Sequence, residues 1–319
     1  MALRLRGEVN LPAHLGDGGF DHGDVHPPSG QVFIAHTANG TVEVIDGAGL
    51  QHVATIDDCA EASGVLSAPE TGVVVAAARG AGHILMIDPT THTVRRKIAV
   101  GGRPNGLAWD SRRQRVLVAD VAANAISIVD PSSGKIRVTT SLPGRPRWAV
   151  YESTSDRYLV NVRNPSTVAV IDAESGKIRN TWPVSASGPY GLDIDRIAGR
   201  AFVACDGGRL VCLDSTSGQE VGSVEIGGGP DAIWFNPAND QVYVAIGDPG
   251  LIQVVDTKEL AVIQTIETGP GAQTTAFDAE RQELFVFRPS PARHWLTAST
   301  DSRSHRGRRP FRAMAGVAL

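Results

Sequence analysis

The chain has few of the residues that mark several common protein classes. It holds three cysteines in 319 residues, Cys59, Cys205 and Cys212. So sparse and odd a set excludes a disulfide framework. Cys205 and Cys212 fall within apolar runs and are expected to be small core side chains. No window approaches the roughly 18 apolar residues of a membrane-spanning helix. The N-terminal MALRLRGEVNLPAH lacks the apolar stretch of a secretory signal. The expectation is a cytoplasmic protein with no membrane partner. Helix-favouring runs are scarce, whereas glycine (35) and proline (19) are frequent. With 42% hydrophobic residues, this balance suits many short strands joined by tight turns. The length could hold two domains, but closed all-β folds often reach it as one.

The net charge of −4 is unevenly spread. From Arg288 onward there are seven arginines and a single acid, Asp301, which leaves the body strongly acidic. An acidic body lacks the basic face that nucleic-acid binding requires, so no nucleic-acid partner is expected.

The dominant feature is an internal repeat. An apolar residue followed by aspartate recurs at Asp46, Asp88, Asp130, Asp172, Asp214 and Asp256, each 42 residues from the last. Each unit contains four β-like runs. In the third they are Asn105 to Trp109, Arg115 to Ala119, Ala125 to Val129 and Lys135 to Thr139. The first two runs are more continuously apolar, as strands buried on both faces are. The last two alternate, as half-buried strands do. Between the third and fourth lie turns such as Asp130 to Gly134 and Asp172 to Gly176. There the aspartate side chain accepts backbone hydrogen bonds and the glycine takes positive φ. Because these turns recur from unit to unit, they read as structural and not as calcium sites.

Four short strands repeated about every 42 residues define a propeller blade. Six units are complete, from about Phe20 to Glu267. A seventh begins with Gln273 to Phe277 and Leu284 to Phe287, then loses the pattern, and Ala298 stands where the next aspartate would fall. Leu3 to Leu11 resembles a fourth strand without the preceding three. The expectation is therefore an all-β, seven-bladed β-propeller of four antiparallel strands per blade. It spans residues 1–287, with the N-terminal strand 3–11 completing blade seven and covering its edge. Residues 288–319 are expected to be an irregular Arg-rich tail, disordered or altered in sequence.

The pattern resembles the YVTN-repeat propellers, the YncE-like proteins. The resemblance is carried by Val116 to Asp120 with Ile126 to Lys135, by Tyr243 to Ala245 with Ile252 to Asp256, and by Gly101 to Trp109. It covers about residues 1–287 and implies a binding or interaction scaffold without a shared catalytic set. Related lactonase-like propellers hydrolyse sugar lactones, so the resemblance also leaves a hydrolase reading open.

The repeat superposes residues by number. The position leading into the first strand holds Asp21, Ser63, Asn105, Arg147, Tyr190, Asp231 and Gln273. All are polar and they differ in chemistry, as a ligand-reading ring would. The next position is mostly small, apart from His22 and Trp148. Arg79, Arg103, Arg145, Arg147 and Arg163 gather on blades two to four, and Asp21, Asp206, Asp231 and Asp248 on the other side. Guanidinium groups suit carboxylate or phosphate. The candidate ligand-binding residues are Asp21, His22, His36, Arg79, Asn105, Arg147, Arg163, Tyr190 and Asp231. His26 occupies the turn position of Asp110, Asp195 and Asp278, at the far end of the strand from His22. His22 and His36 with Asp21 could be neighbours around a metal, but no metal-ligand spacing supports one. No catalytic set is identified: GxSxG is missing. The paired glycines Gly101–Gly102 and Gly227–Gly229 lack the following helix of a phosphate loop. Trp109, Tyr151, Ile194, Phe235 and Phe277 align as inner-strand core.

Three readings follow. The favoured one is a monomeric, non-enzymatic scaffold without a cofactor, binding a protein or a small anionic ligand at the channel mouth. A second is a metal-dependent lactone hydrolase, with a divalent metal held by Asp21, His22, Asn105 and Asp231. A third is a structural spacer in a larger complex, which would lack a pocket and expose an apolar patch.

Overall fold

The structure is a computed structural model. It describes residues 2–289 and the backbone of residues 295–299. Six blades are each built from four consecutive antiparallel strands. The third shows the pattern, with strands Pro104–Asp110, Arg115–Asp120, Ala125–Asp130 and Lys135–Ser141. The first strand of each blade is innermost, and each packs against the inner strand of the next blade around a central axis.

The expectation of a seven-bladed ring is corrected, because the repeat produces six blades. The sheet that closes the ring is not a seventh copy of the unit. It is a composite of both chain ends, in which Thr274–Asp278, Glu283–Phe287 and Trp295–Ser299 are followed on the outer edge by Arg4–Gly7. Among the described residues no fourth strand follows Trp295–Ser299 in the chain. The N-terminal strand supplies that edge instead, pairing Arg4 with Ser299 and Leu5 with Ala298. It is shorter than the 3–11 expected. Trp295–Ser299 lies within the stretch expected to be irregular. The rest of that tail falls outside the described residues.

The turn chemistry follows the repeat. Asp130 Oδ1 accepts the backbone N–H groups of Ser132 (3.0 Å) and Ser133 (3.1 Å). Asp88, Asp214 and Asp256 accept the equivalent pairs. Asp110, Asp195 and Asp278 do the same at the ends of inner strands. Arg137, on the adjacent outer strand, pairs with Asp130 at 2.6 Å. The donors to these carboxylates are all within the protein, as a structural role requires. His26 takes the corresponding place in the first blade, with Nδ1 2.9 Å from Ser29 Oγ. The third strands differ from the half-buried pattern expected. Ala125 to Val129 are all buried, because neighbouring blades cover both faces, and exposure begins at the outer strand.

Apolar layers fill the spaces between blades. One joins Phe33, Val44 and Val65 with Leu85, and another joins Tyr158, Val160 and Ile128 with Leu117. At the closure, Leu3 packs with Tyr243, Ile266, Phe277 and Leu284. Its backbone N–H donates to Gln264 Oε1 (2.9 Å), and its carbonyl accepts from Gln264 Nε2 (3.0 Å). Cys59, Cys205 and Cys212 are free and buried. Among the described residues no helix is long and apolar enough to cross a membrane.

One buried polar network stiffens the first blade. Glu43, on the strand Thr41–Asp46, is fully buried. Its carboxylate meets His36 Nδ1 at 2.9 Å, Thr41 Oγ1 at 2.6 Å, His52 Nε2 at 3.0 Å and Thr55 Oγ1 at 2.6 Å. Burial opposes ionisation, but these four hydrogen bonds outweigh it and hold the carboxyl at about 2, below its ordinary 4.5. Folding therefore favours the charged form. The contribution is complete above about pH 4.5 and is lost as pH falls toward 2.

Two outcomes are expected. Glu43→Gln should cost about 1–3 kcal/mol in urea unfolding at pH 7, with the difference from the parent protein shrinking on acidification. A constant difference across that window would count against the network. Leu3→Ala should cost about 2–5 kcal/mol if the N-terminal segment closes the ring, read from the same unfolding curves.

Candidate functional site

The inner strands approach one another closely at the mouth of the channel. A Cβ at Gly64 would collide with the carbonyl oxygen of Asn105. One at Gly106 would meet that of Arg147, and one at Gly191 that of Asp231. This explains the run of small residues there. His22 and Trp148 are the departures. Their blades are separated by two others, yet their rings stack across the axis at 4.3 Å with 14° between planes. Trp148 also meets Trp234 edge-on at 6.1 Å. The stack divides the channel in two.

The leading residues converge on one side of this division. Asp21 Oδ2 lies 3.1 Å from Arg79 Nη1 and 3.5 Å from Asn105 Nδ2, and Asp21 Oδ1 lies 3.4 Å from His22 Nε2. Trp148 Nε1 donates to Asp231 Oδ1 at 3.4 Å. The Arg147 guanidinium sits 4.3 Å above the Tyr190 ring, and that of Arg163 lies 5.9 Å from it. Seven expected residues, Asp21, His22, Arg79, Asn105, Arg147, Tyr190 and Asp231, thus form one polar layer. Arg163 joins its rim and pairs with Asp206 at 2.6 Å. His36 is not part of it. It is fully buried against Phe20 and bound to Glu43, so it does not join His22 and Asp21 around a metal. Among the described residues no three His, Cys, Asp or Glu side chains are placed to hold a metal ion. Asp21 is instead engaged by Arg79 and Asp231 by Trp148.

The arginine and aspartate halves of the mouth are largely tied together. Arg79 pairs with Asp21 and Glu61, Arg103 with Glu61, and Arg163 with Asp206. Arg147 differs. It is 8% exposed, its Nε has no hydrogen-bond partner, and no carboxylate among the described residues forms an ion pair with it. Arg145 stands exposed beside it. Burial pushes the Asp231 carboxyl up to about 7, and the charge of Asp21 adds to the rise. Trp148 and Arg147 oppose it. Asp231 and burial push the Tyr190 hydroxyl up, so it stays a hydrogen-bond donor. Burial lowers the pKa of His22, which keeps the stacked imidazole neutral.

Below the stack the channel opens into a cavity of about 430 Å³. It reaches the turns between inner and second strands, where Ser111, Ser153 and Arg196 lie. Trp109 and Tyr151, expected as core, also line it. The repeat held a signal for this chamber. The position three residues beyond the leading one carries Asp24 and Asp193, against Leu66, Ala108, Val150 and Ala276 in other units.

The fold is a β-propeller, a scaffold that fits a binding or interaction role in general. No family model and no curated protein matches the chain, so the YVTN-like resemblance rests on the repeat residues.

Because folding raises the Asp231 pKa from 3.8 to about 7, its charge weakens the fold progressively as pH rises between those values. Asp231→Asn is expected to raise stability at pH 8 by on the order of 1 kcal/mol or more and to change little at pH 4. Calorimetry at the two pH values checks this. Equal shifts at both would show that Asp231 is charged in the fold throughout.

Proposed function

We propose that the protein is a non-enzymatic, YVTN-like propeller that binds a small anionic ligand at the mouth formed by the leading residues. Arg147 carries this reading. A guanidinium buried at a channel mouth with an unpartnered Nε and no carboxylate is costly to retain. A ligand carboxylate or phosphate would satisfy it through paired charge-assisted hydrogen bonds. Tyr190 fixes the guanidinium plane from one face. The Asn105 amide and the Tyr190 hydroxyl offer further donors. Arg79, Arg103 and Arg163 are already paired with carboxylates, which limits the site to a small anion and disfavours a broad acidic surface. A pure spacer would have no use for the divided channel.

Thermal unfolding with citrate, inorganic phosphate and glucose 6-phosphate tests the reading. At least one should raise the melting temperature saturably. Arg147→Ala should weaken that ligand about 10- to 100-fold, the scale of a charged hydrogen bond, and Arg147→Lys should restore only part of the loss. Unchanged affinity in Arg147→Ala would sink the proposal.

A further inference from the structure

The chamber on the far side of the His22–Trp148 stack has the opposite chemistry from the mouth. Its lining combines the aromatic side chains of Trp109, Trp148, Trp234 and Tyr151 with two carboxyl groups, Asp24 and Asp193. Each indole N–H is tied down. Trp109 donates to Glu70 Oε2 (3.1 Å), Trp148 to Asp231 Oδ1 (3.4 Å) and Trp234 to Thr275 Oγ1 (3.1 Å). The rings are therefore held in place before any ligand arrives.

The two carboxylates are fixed in the same way. Asp24 Oδ2 accepts the backbone N–H of Ser67 on the neighbouring blade at 2.7 Å, and Asp193 Oδ2 accepts that of Phe235 at 2.7 Å. Their other oxygens accept from Val25 and Ile194, both at 2.8 Å. Each carboxylate oxygen has a second lone pair to offer. Glu70 lies at the rim. The opposing charge is Arg196, whose guanidinium donates to the carbonyl of Tyr151 at 2.9 Å. His22, at the chamber's floor, is held neutral by burial. The chamber thus holds two fixed carboxyl groups against a single guanidinium. Burial pushes the Asp24 carboxyl up to about 7, with the charge of Asp193 adding to the rise, and burial raises Asp193 as well.

The geometry points to a second binding site in this chamber, for an organic cation with an apolar body: an amine or quaternary ammonium compound. A cation over the indole faces gains from the ring quadrupoles, most strongly where water is excluded. The carboxylates then meet the charge directly, and the apolar body covers Leu107 and Ile233. An anion would face two carboxylates and find only Arg196 at the rim. The cavity volume falls within the range of small-molecule sites.

Titration of the full chain with benzyltrimethylammonium, followed by calorimetry and by tryptophan fluorescence, tests the site. Phenylacetate and benzyl alcohol serve as anionic and neutral counterparts. The cation should bind saturably, at least tenfold tighter than either counterpart, and should change the emission of the lining indoles. Asp193→Asn should weaken it about tenfold or more. If that variant fails to fold, the selectivity of the unmodified protein still decides the matter. No saturable binding of the cation, or equal binding of all three compounds, would overturn the proposal.

Discussion

The close approach of the inner strands around the axis is the constraint on which the rest of the structure depends. At Gly64, Gly106 and Gly191 there is no room for a side chain against the neighbouring blade's carbonyl. In the first blade, His22 N–H donates across to the Ser63 carbonyl at 3.0 Å. Blades packed this tightly bury their second and third strands on both faces, which is why Val73 to Ala78 can be wholly apolar. The same tightness makes any large residue on the axis conspicuous, because it can go only into the channel.

His22 and Trp148 are those residues, and their stack gives the molecule two chambers in place of one channel. On one side are polar side chains of both signs, mostly paired, with Arg147 left over. On the other are indole rings and two fixed carboxyl groups. Trp148 belongs to both, since its ring floors one chamber while its N–H reaches Asp231 in the other. The hydrogen bond from Trp148 to Asp231 joins the stack to the polar layer of the mouth.

Closure shows how a repeat can end without a final copy. Six repeats end their third strand in an aspartate, and the sheet that follows them is finished by the N-terminal strand. Leu3 enters the last apolar layer and Gln264 brackets its backbone. The composite sheet thereby joins the two ends of the sequence through hydrogen bonds and packing. Arg6 reinforces it with a 2.7 Å pair to Glu283.

The 42-residue spacing by itself determined the blade, its four strands and its turns, because these depend on neighbours a few residues away in the chain. The Asp130 carboxylate needs only the next two or three N–H groups. The polar ring at the mouth was legible for the same reason, as superposed repeats place equivalent residues at one level. The number of true blades was not legible, since the last sheet depends on pairing between residues nearly 300 positions apart. Nor was the fate of His36, which shares a sequence neighbourhood with His22 but is drawn into the core by Glu43. Tertiary structure alone decided that Trp109 lines a cavity, that His22 meets Trp148 across the axis, and that Arg147 lies over Tyr190 without an ion pair to a carboxylate among the described residues. Those outcomes depend on distances between blades, which the repeat sets in register but does not encode.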